Sequence, residues 1–92
     1  MAESGASWTI DVHRKALKEL SALPKPIATR CWQAIRELAE DPFPQGTRAL
    51  EGMESGYRIR VGDYRIVYQV HQSEVRVLVI RVRHRKDVYR GL

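Results

Sequence analysis

The sequence predicts an α+β domain, because three segments with different patterns follow one another along its 92 residues. A short segment rich in β-forming residues, "WTIDV" at residues 8 to 12, comes first. Apolar residues at helical spacing follow between residues 13 and 38, and alternation with a period of two runs from residue 57 onwards. This length suits one domain, residues 1 to 92, of which residues 1 to 6 are expected to be disordered.

Two amphipathic helices are predicted in the first half of the chain. Pro24 and Pro26 separate them, and Pro26 suits the first turn of the second helix, where a missing N–H costs nothing. "DPFPQG", residues 41 to 46, ends the second helix. So short a connection predicts an antiparallel helical hairpin. The two apolar stripes consist of Ala16, Leu17, Leu20 and Leu23 in the first helix, and Ile27, Cys31, Ala34, Ile35 and Leu38 in the second.

The stretch "YRIRVGDYRIVYQV", residues 57 to 70, predicts two strands joined by a turn at Gly62-Asp63. With that turn, Arg60 opposes Arg65, and Arg58 lies on the same side of the sheet. The preceding residues 47 to 56 suggest a loop. A third run, "VRVLVIRVR" at residues 75 to 83, is apolar on both faces over residues 77 to 80, which is typical of an interior strand.

The positive charge is confined to the second half of the chain. Residues 1 to 46 contain six basic and six acidic residues, whereas residues 47 to 92 contain ten and five, which accounts for the net charge of +5. Nine of those ten are arginines, whose planar guanidinium binds phosphate at two points. Like charges opposed across strands are unfavourable, and a bound phosphodiester would explain them. The alternative is solvation, or ion pairs with Glu51, Glu54 or Glu74.

Further basic residues follow the third run in "RVRHRKDVYR", residues 81 to 90, together with His84 and Tyr89. Simple alternation puts Arg81 on the side of the sheet facing the helices, where a β-bulge or a surface ion pair would be needed. RNA supplies its own nucleophile, the 2′-hydroxyl, so that cleavage needs positioning, charge neutralisation and proton transfer. Arginines with a histidine or tyrosine could do this without a metal ion or cofactor.

The combination of "GDYRIVY" with a downstream "HRKDVY" resembles the RelE/ParE superfamily of bacterial toxins, and most closely its RelE branch. The resemblance spans residues 8 to 89. It implies an α+β fold with an N-terminal strand, an antiparallel helical hairpin on one face of a small antiparallel sheet, and a short C-terminal segment. RelE-like toxins cut messenger RNA in the ribosomal A site without metal. The implied partners are a cognate antitoxin, mRNA and the ribosome.

The resemblance implies roles for Arg58, Arg60, Arg65, Arg85 and Tyr89, and the basic stretch after the third run adds His84, Arg83 and Lys86 as candidates. The catalytic candidates are Arg65, Arg85, Tyr89 and His84, and the RNA-binding candidates are Arg58, Arg60, Arg83 and Lys86. Arg83 matches the family's arginine at the end of the third run about as well as Arg85 does. Arg58 and Arg60, on the strand before the turn, stand where the family commonly has lysines, and an arginine is a poor general base. The base is therefore His84, Tyr89 or a group on the ribosome.

Two other functions fit the same pattern. ParE-like relatives share the fold and are associated with inhibition of DNA gyrase rather than with hydrolysis. A noncatalytic RNA-binding module is the other, although alternation turns Tyr57, Tyr64 and Tyr68 inward and leaves no exposed stacking platform. One cysteine, Cys31, on an apolar stripe predicts a buried, unreactive thiol. The sequence predicts neither a signal peptide nor a membrane span, and hence a cytoplasmic protein.

Overall fold

Two helices cover one face of a five-stranded mixed sheet in this computed structural model, which describes residues 7 to 86. The predicted disorder of residues 1 to 6 and the predicted C-terminal segment lie outside the described residues. The strand order is β1-β5-β4-β3-β2. The strands are β1 Thr9–Val12, β2 Arg48–Ala49, β3 Gly56–Val61, β4 Tyr64–His71 and β5 Arg76–His84, and the helices are α1 Arg14–Ser21 and α2 Lys25–Glu37.

The predicted helical hairpin is confirmed, with boundaries set by local capping. His13 precedes α1, and its Nδ1 accepts a hydrogen bond from the backbone N–H of Lys15 at 3.1 Å. Pro24 occupies the N-cap position of α2 without a side-chain hydrogen bond, and the helix begins at Lys25, one residue before the predicted start at Pro26. Pro26 still occupies the first turn, where no intrahelical partner is lost. At the start of α1, the side chain of His13 pairs with one of the N–H groups that have no partner within the helix. At the start of α2, Pro26 has no N–H group that would need a partner.

The β3–β4 hairpin has the predicted register, with Val61 opposite Tyr64 and Arg60 opposite Arg65. Gly62, the first turn residue, has φ of +60°, as a type II′ turn requires of that position. Part of the loop predicted before β3 instead forms the two-residue edge strand β2. Strands β3 to β5 are antiparallel, as predicted, and β2 also pairs with β3 in antiparallel fashion. The N-terminal strand β1 differs, because it pairs with β5 in parallel.

The core lies between the helices and the sheet. It includes Cys31, which has no exposed surface, and burial raises the pKa of its thiol from 9.0. Tyr68 is also fully buried, and its hydroxyl donates a 2.7 Å hydrogen bond to the carbonyl of Pro42. Burial raises the pKa of that hydroxyl, against a smaller lowering from its contact with Thr47. Within the described range, neither helix is long and apolar enough to cross a membrane.

A β-bulge at Ile80 changes which side chains of β5 face the helices. Tyr68 pairs with Val79, but the preceding residue, Val67, pairs with Arg81, so Ile80 has no partner in the register. The alternation of side chains between the two faces of the sheet therefore shifts by one residue across the bulge. Arg81 lies on the face opposite the helices, and the placement predicted by simple alternation was wrong. The bulge was one of the two devices that this arginine was expected to need.

Candidate nucleic-acid interface

The sheet register collects six arginines on the face opposite the helices, here termed the arginine face. They occur in two rows that cross the strands, and neighbouring strands in a sheet lie only about 4.8 Å apart. Such proximity of like charges is unfavourable unless an external anion or a carboxylate offsets it. The first row is Arg48–Arg58–Val67–Arg81 and the second is Arg60–Arg65–Arg83.

Val67 lies at the centre of the first row and has no exposed surface, although it points away from the helix-side core. Its register neighbours are Arg58 on β3 and Arg81 on β5. Arginine side chains carry long aliphatic stems that cover apolar surface while the guanidinium remains at its edge. The arginine face therefore combines an apolar centre with a surrounding set of cationic groups.

Among residues 7 to 86, the ion pairs proposed as an alternative explanation do not occur at Arg58 or Arg60. Neither makes a salt bridge to a carboxylate of the residues that the structure describes. Glu74 pairs with Arg76 instead, with its Oε1 3.4 Å from the Nε of Arg76. Arg65, at the centre of the second row, donates from Nη1 to the backbone carbonyl of Tyr64 at 3.3 Å. The second row thus presents three guanidinium-bearing positions side by side.

One carboxylate reaches the arginine face from the helical layer. Oε2 of Glu19, on α1, accepts hydrogen bonds from Nε and Nη2 of Arg81, at 3.1 and 2.8 Å. The same oxygen lies 3.5 Å from Nε of Arg83. Its other oxygen, Oε1, accepts from the backbone N–H of Val82 at 2.7 Å. Sequence reasoning missed Glu19, because a polar residue on an amphipathic helix carries no signal of a contact more than sixty positions away.

The candidates at the end of β5 and just after it lie in two locations. The backbone N–H of Arg85 donates to the carbonyl of Asp63 at 2.7 Å, which places Arg85 beside the β3–β4 turn and next to the second row. Arg85 and Lys86 are both exposed there. His84 opposes Tyr64, so it belongs to a row on the helix side of the sheet. Tyr89 lies outside the described residues.

His84 is held by contacts on that helix side. Its ring meets the ring of Tyr64 edge-on, with centroids 5.4 Å apart. Its Nδ1 accepts a hydrogen bond from the backbone N–H of Lys86 at 3.3 Å. The structure therefore brings Arg58, Arg60, Arg65 and Arg83 together and keeps His84 apart from them. Among residues 7 to 86, no three His, Cys, Asp or Glu side chains are grouped so as to hold a metal ion.

These features define a small α+β protein with one face of its sheet packed against helices and the other suited to a polyanion. A family model described as "ParE toxin of type II toxin-antitoxin system, parDE" matches residues 10–89. The mRNA interferase toxin RelE of Escherichia coli K12 is 33% identical over 87 residues, and the alignment covers 90% of each chain. The chain belongs to the RelE/ParE superfamily of toxins.

Solved structures confirm the predicted arrangement of helices and sheet. A chain of the archaeal RelE–RelB complex from Pyrococcus horikoshii OT3 superposes with a TM-score of 0.77 at 27% identity, over 86% of this chain and 96% of that one. The intact E. coli RelBE toxin–antitoxin complex gives a TM-score of 0.72 at 32% identity, over 83% of this chain and 94% of the other. This similarity confirms the fold expected from the sequence.

Proposed function

We propose that this chain is the toxin of a toxin–antitoxin pair and that it cleaves mRNA on the ribosome without a metal ion, thereby inhibiting translation. The observation that supports this most directly is the second row of the arginine face, in which Arg65 is flanked by Arg60 and Arg83. The name of the E. coli relative, an mRNA interferase, supports the same chemistry.

The proposed reaction uses a nucleophile that RNA carries itself. The 2′-oxygen attacks the adjacent phosphorus while the bond from phosphorus to the 5′-oxygen breaks, leaving a 2′,3′-cyclic phosphate and a free 5′-hydroxyl. One proton leaves the 2′-hydroxyl and one is delivered to the departing oxygen. Negative charge builds on the nonbridging oxygens in the transition state, and fixed cationic donors stabilise it. Arg65, at the centre of its row, is the residue to which we assign this role, with Arg85 beside the turn as its partner.

Proton transfer is assigned by the chemistry of the remaining candidates. A guanidinium carries donors and no acceptor, so Arg58 and Arg60 are poor candidates for the base. His84 faces the helix side, with Nδ1 occupied by the Lys86 N–H. We therefore propose Tyr89 as the first candidate for proton transfer, with His84 as the second. Arg58, Arg60, Arg83 and Lys86 are assigned to binding the RNA backbone.

A protein partner is part of the proposal, because both similar structures described above are toxin–antitoxin complexes. We propose that a cognate antitoxin contributes an acidic, amphipathic segment that lies along the helical hairpin or over the arginine face. Complementary charge should accelerate association at low salt. Stopped-flow mixing between ~50 and ~500 mM salt tests this, and an association rate that does not change with salt would contradict it. The proposed location is the cytoplasm.

Inhibition of DNA gyrase is the competing function, and the ParE description of the matching family model favours it. The two functions predict different first events after the protein is induced in a bacterium without its antitoxin. Pulse labelling should show that protein synthesis stops while DNA synthesis continues, and the Arg65→Ala variant should leave both intact. If DNA synthesis collapses first, gyrase inhibition replaces RNA cleavage as the function.

A further inference from the structure

Within residues 7 to 86, no strand covers the edge of the far part of β5. The hydrogen bonds between β1 and β5 end where the N–H of His13 donates to the carbonyl of Val79, yet β5 continues to His84. Glu19 occupies part of this edge, since Oε1 accepts the outward-facing N–H of Val82 at 2.7 Å. A single carboxylate on α1 thereby replaces one backbone acceptor of a missing strand.

The bulge at Ile80 gives the same carboxylate access to two arginines. It places Arg81 on the arginine face, the same face as that of Arg83 two residues later. Oε2 of Glu19 then lies 2.8 Å from Nη2 of Arg81 and 3.5 Å from Nε of Arg83. All three side chains are largely screened from solvent, with exposed fractions of 21% for Glu19, 15% for Arg81 and 23% for Arg83. Screening from water strengthens such pairs relative to an exposed one.

We propose that Glu19 is a positioning residue, which holds Arg81 and Arg83 at the β5 edge of the arginine face and so fixes how the RNA phosphate meets Arg65. This inference rests on the proposed RNA cleavage. A carboxylate and a phosphate compete for the same guanidinium, because both accept its paired donors. Glu19 therefore weakens the attraction of the face for RNA in general, and in exchange it restricts the geometry in which RNA binds.

A role for Glu19 as general base fits the contacts less well. Its two oxygens already accept from three groups, the Val82 N–H and two nitrogens of Arg81. Both oxygens are thus engaged with groups of the protein itself. A positioning role and a basic role also differ in what glutamine can replace. Glutamine retains an oxygen for Val82 but carries no charge to hold Arg81.

The test compares Glu19→Gln with Glu40→Gln, which removes the same charge from an exposed residue that makes no ion pair within the described part of the chain. The affinity of each purified toxin for a single-stranded oligoribonucleotide is measured against salt concentration. Cleavage is measured in single turnover on mRNA-programmed ribosomes with saturating toxin, and a thermal melt checks folding.

Glu19→Gln should bind the oligoribonucleotide more tightly, with a salt slope steeper by about 0.7 for each guanidinium released. Its saturating cleavage rate should fall by about 10-fold or more, because freed arginines bind the phosphate in unproductive geometries. Glu40→Gln should change neither quantity. Adding Arg81→Gln to Glu19→Gln should return the salt slope to that of the wild type, since the released cation is then removed.

Three results would overturn the inference. Glu19→Gln could match Glu40→Gln in slope and rate, it could lose affinity and rate together with thermal stability, or it could lose rate and the acidic limb of the pH profile at an unchanged slope. The second result means a structural role and the third a general base. If Glu19→Gln does not fold, Arg81→Gln alone is tested instead. It should flatten the salt slope of oligoribonucleotide binding, because Glu19 then pairs with Arg83 only. A salt slope equal to that of the wild type would also refute the inference.

Failure of the proposed function remains distinguishable from failure of this inference. A wild-type protein that cleaves no mRNA on programmed ribosomes contradicts the proposed function. The oligoribonucleotide slopes of the same variants still decide whether Glu19 withholds a cation from RNA, because that measurement requires binding and not cleavage.

Discussion

Replacing Arg65 by alanine separates the electrostatic role of the arginine face from its contribution to folding. Loss of one donor that stabilises transition-state charge lowers a rate by about 10²-fold or more, equivalent to roughly 2.7 kcal/mol. The folded state should change much less. Arg65 has Arg60 on one side and Arg83 on the other, and removing it relieves two unfavourable cross-strand pairs worth a few tenths of a kcal/mol each.

The variant also loses the 3.3 Å hydrogen bond from Arg65 to the Tyr64 carbonyl, which offsets part of that gain. We expect a net change in stability within about 1 kcal/mol, or a melting temperature within about 6 °C of the wild type. Single-turnover cleavage on programmed ribosomes and a thermal melt of the same preparation measure both quantities. A variant that cleaves at the wild-type rate, or one whose lost activity follows a large fall in melting temperature, would refute the phosphate role of Arg65.

Four further outcomes follow from individual residues. Tyr89→Phe deletes the hydroxyl but keeps the ring, so it should lower cleavage with an unchanged melt if the hydroxyl transfers a proton; unchanged cleavage would limit Tyr89 to packing. Arg48→Ala, at the β2 end of the first row, should weaken oligoribonucleotide binding and reduce the salt slope by about 0.7, with little change in saturating cleavage. Tyr68→Phe leaves the carbonyl of Pro42 without its 2.7 Å donor and should cost about 1–3 kcal/mol in the free energy of unfolding, measured by denaturant titration. Burial raises the pKa values of the Cys31 thiol and the Tyr68 hydroxyl from 9.0 and 10.0, so the neutral form of each group is favoured in the folded protein. The free energy of unfolding should therefore not depend on these groups below about pH 9, and it should fall as the pH rises from their unfolded-state pKa values towards their folded-state pKa values. The double variant Cys31→Ala with Tyr68→Phe should flatten this alkaline decline, measured as melting temperature against pH.

Local patterns in the sequence were sufficient to predict most of the secondary structure. Helical spacing and the two prolines located the starts of α1 and α2 to within one residue, because capping and apolar periodicity depend on neighbours along the chain. Gly62-Asp63 determined the β3–β4 register and hence the opposition of Arg60 and Arg65, because a two-residue turn leaves no freedom in the pairing. The apolar run at residues 77 to 80 likewise identified β5 as an interior strand.

Other features of the arginine face depended on tertiary structure. Parallel pairing of β1 with β5 joins segments more than sixty residues apart, and no local pattern specifies the direction of such a pair. The bulge at Ile80 placed Arg81 on the arginine face, and the ending of β1 at Val12 left an edge for Glu19 to occupy. Side-chain alternation determines which face a residue occupies only while the pairing stays regular, and that regularity is set by the strands on either side.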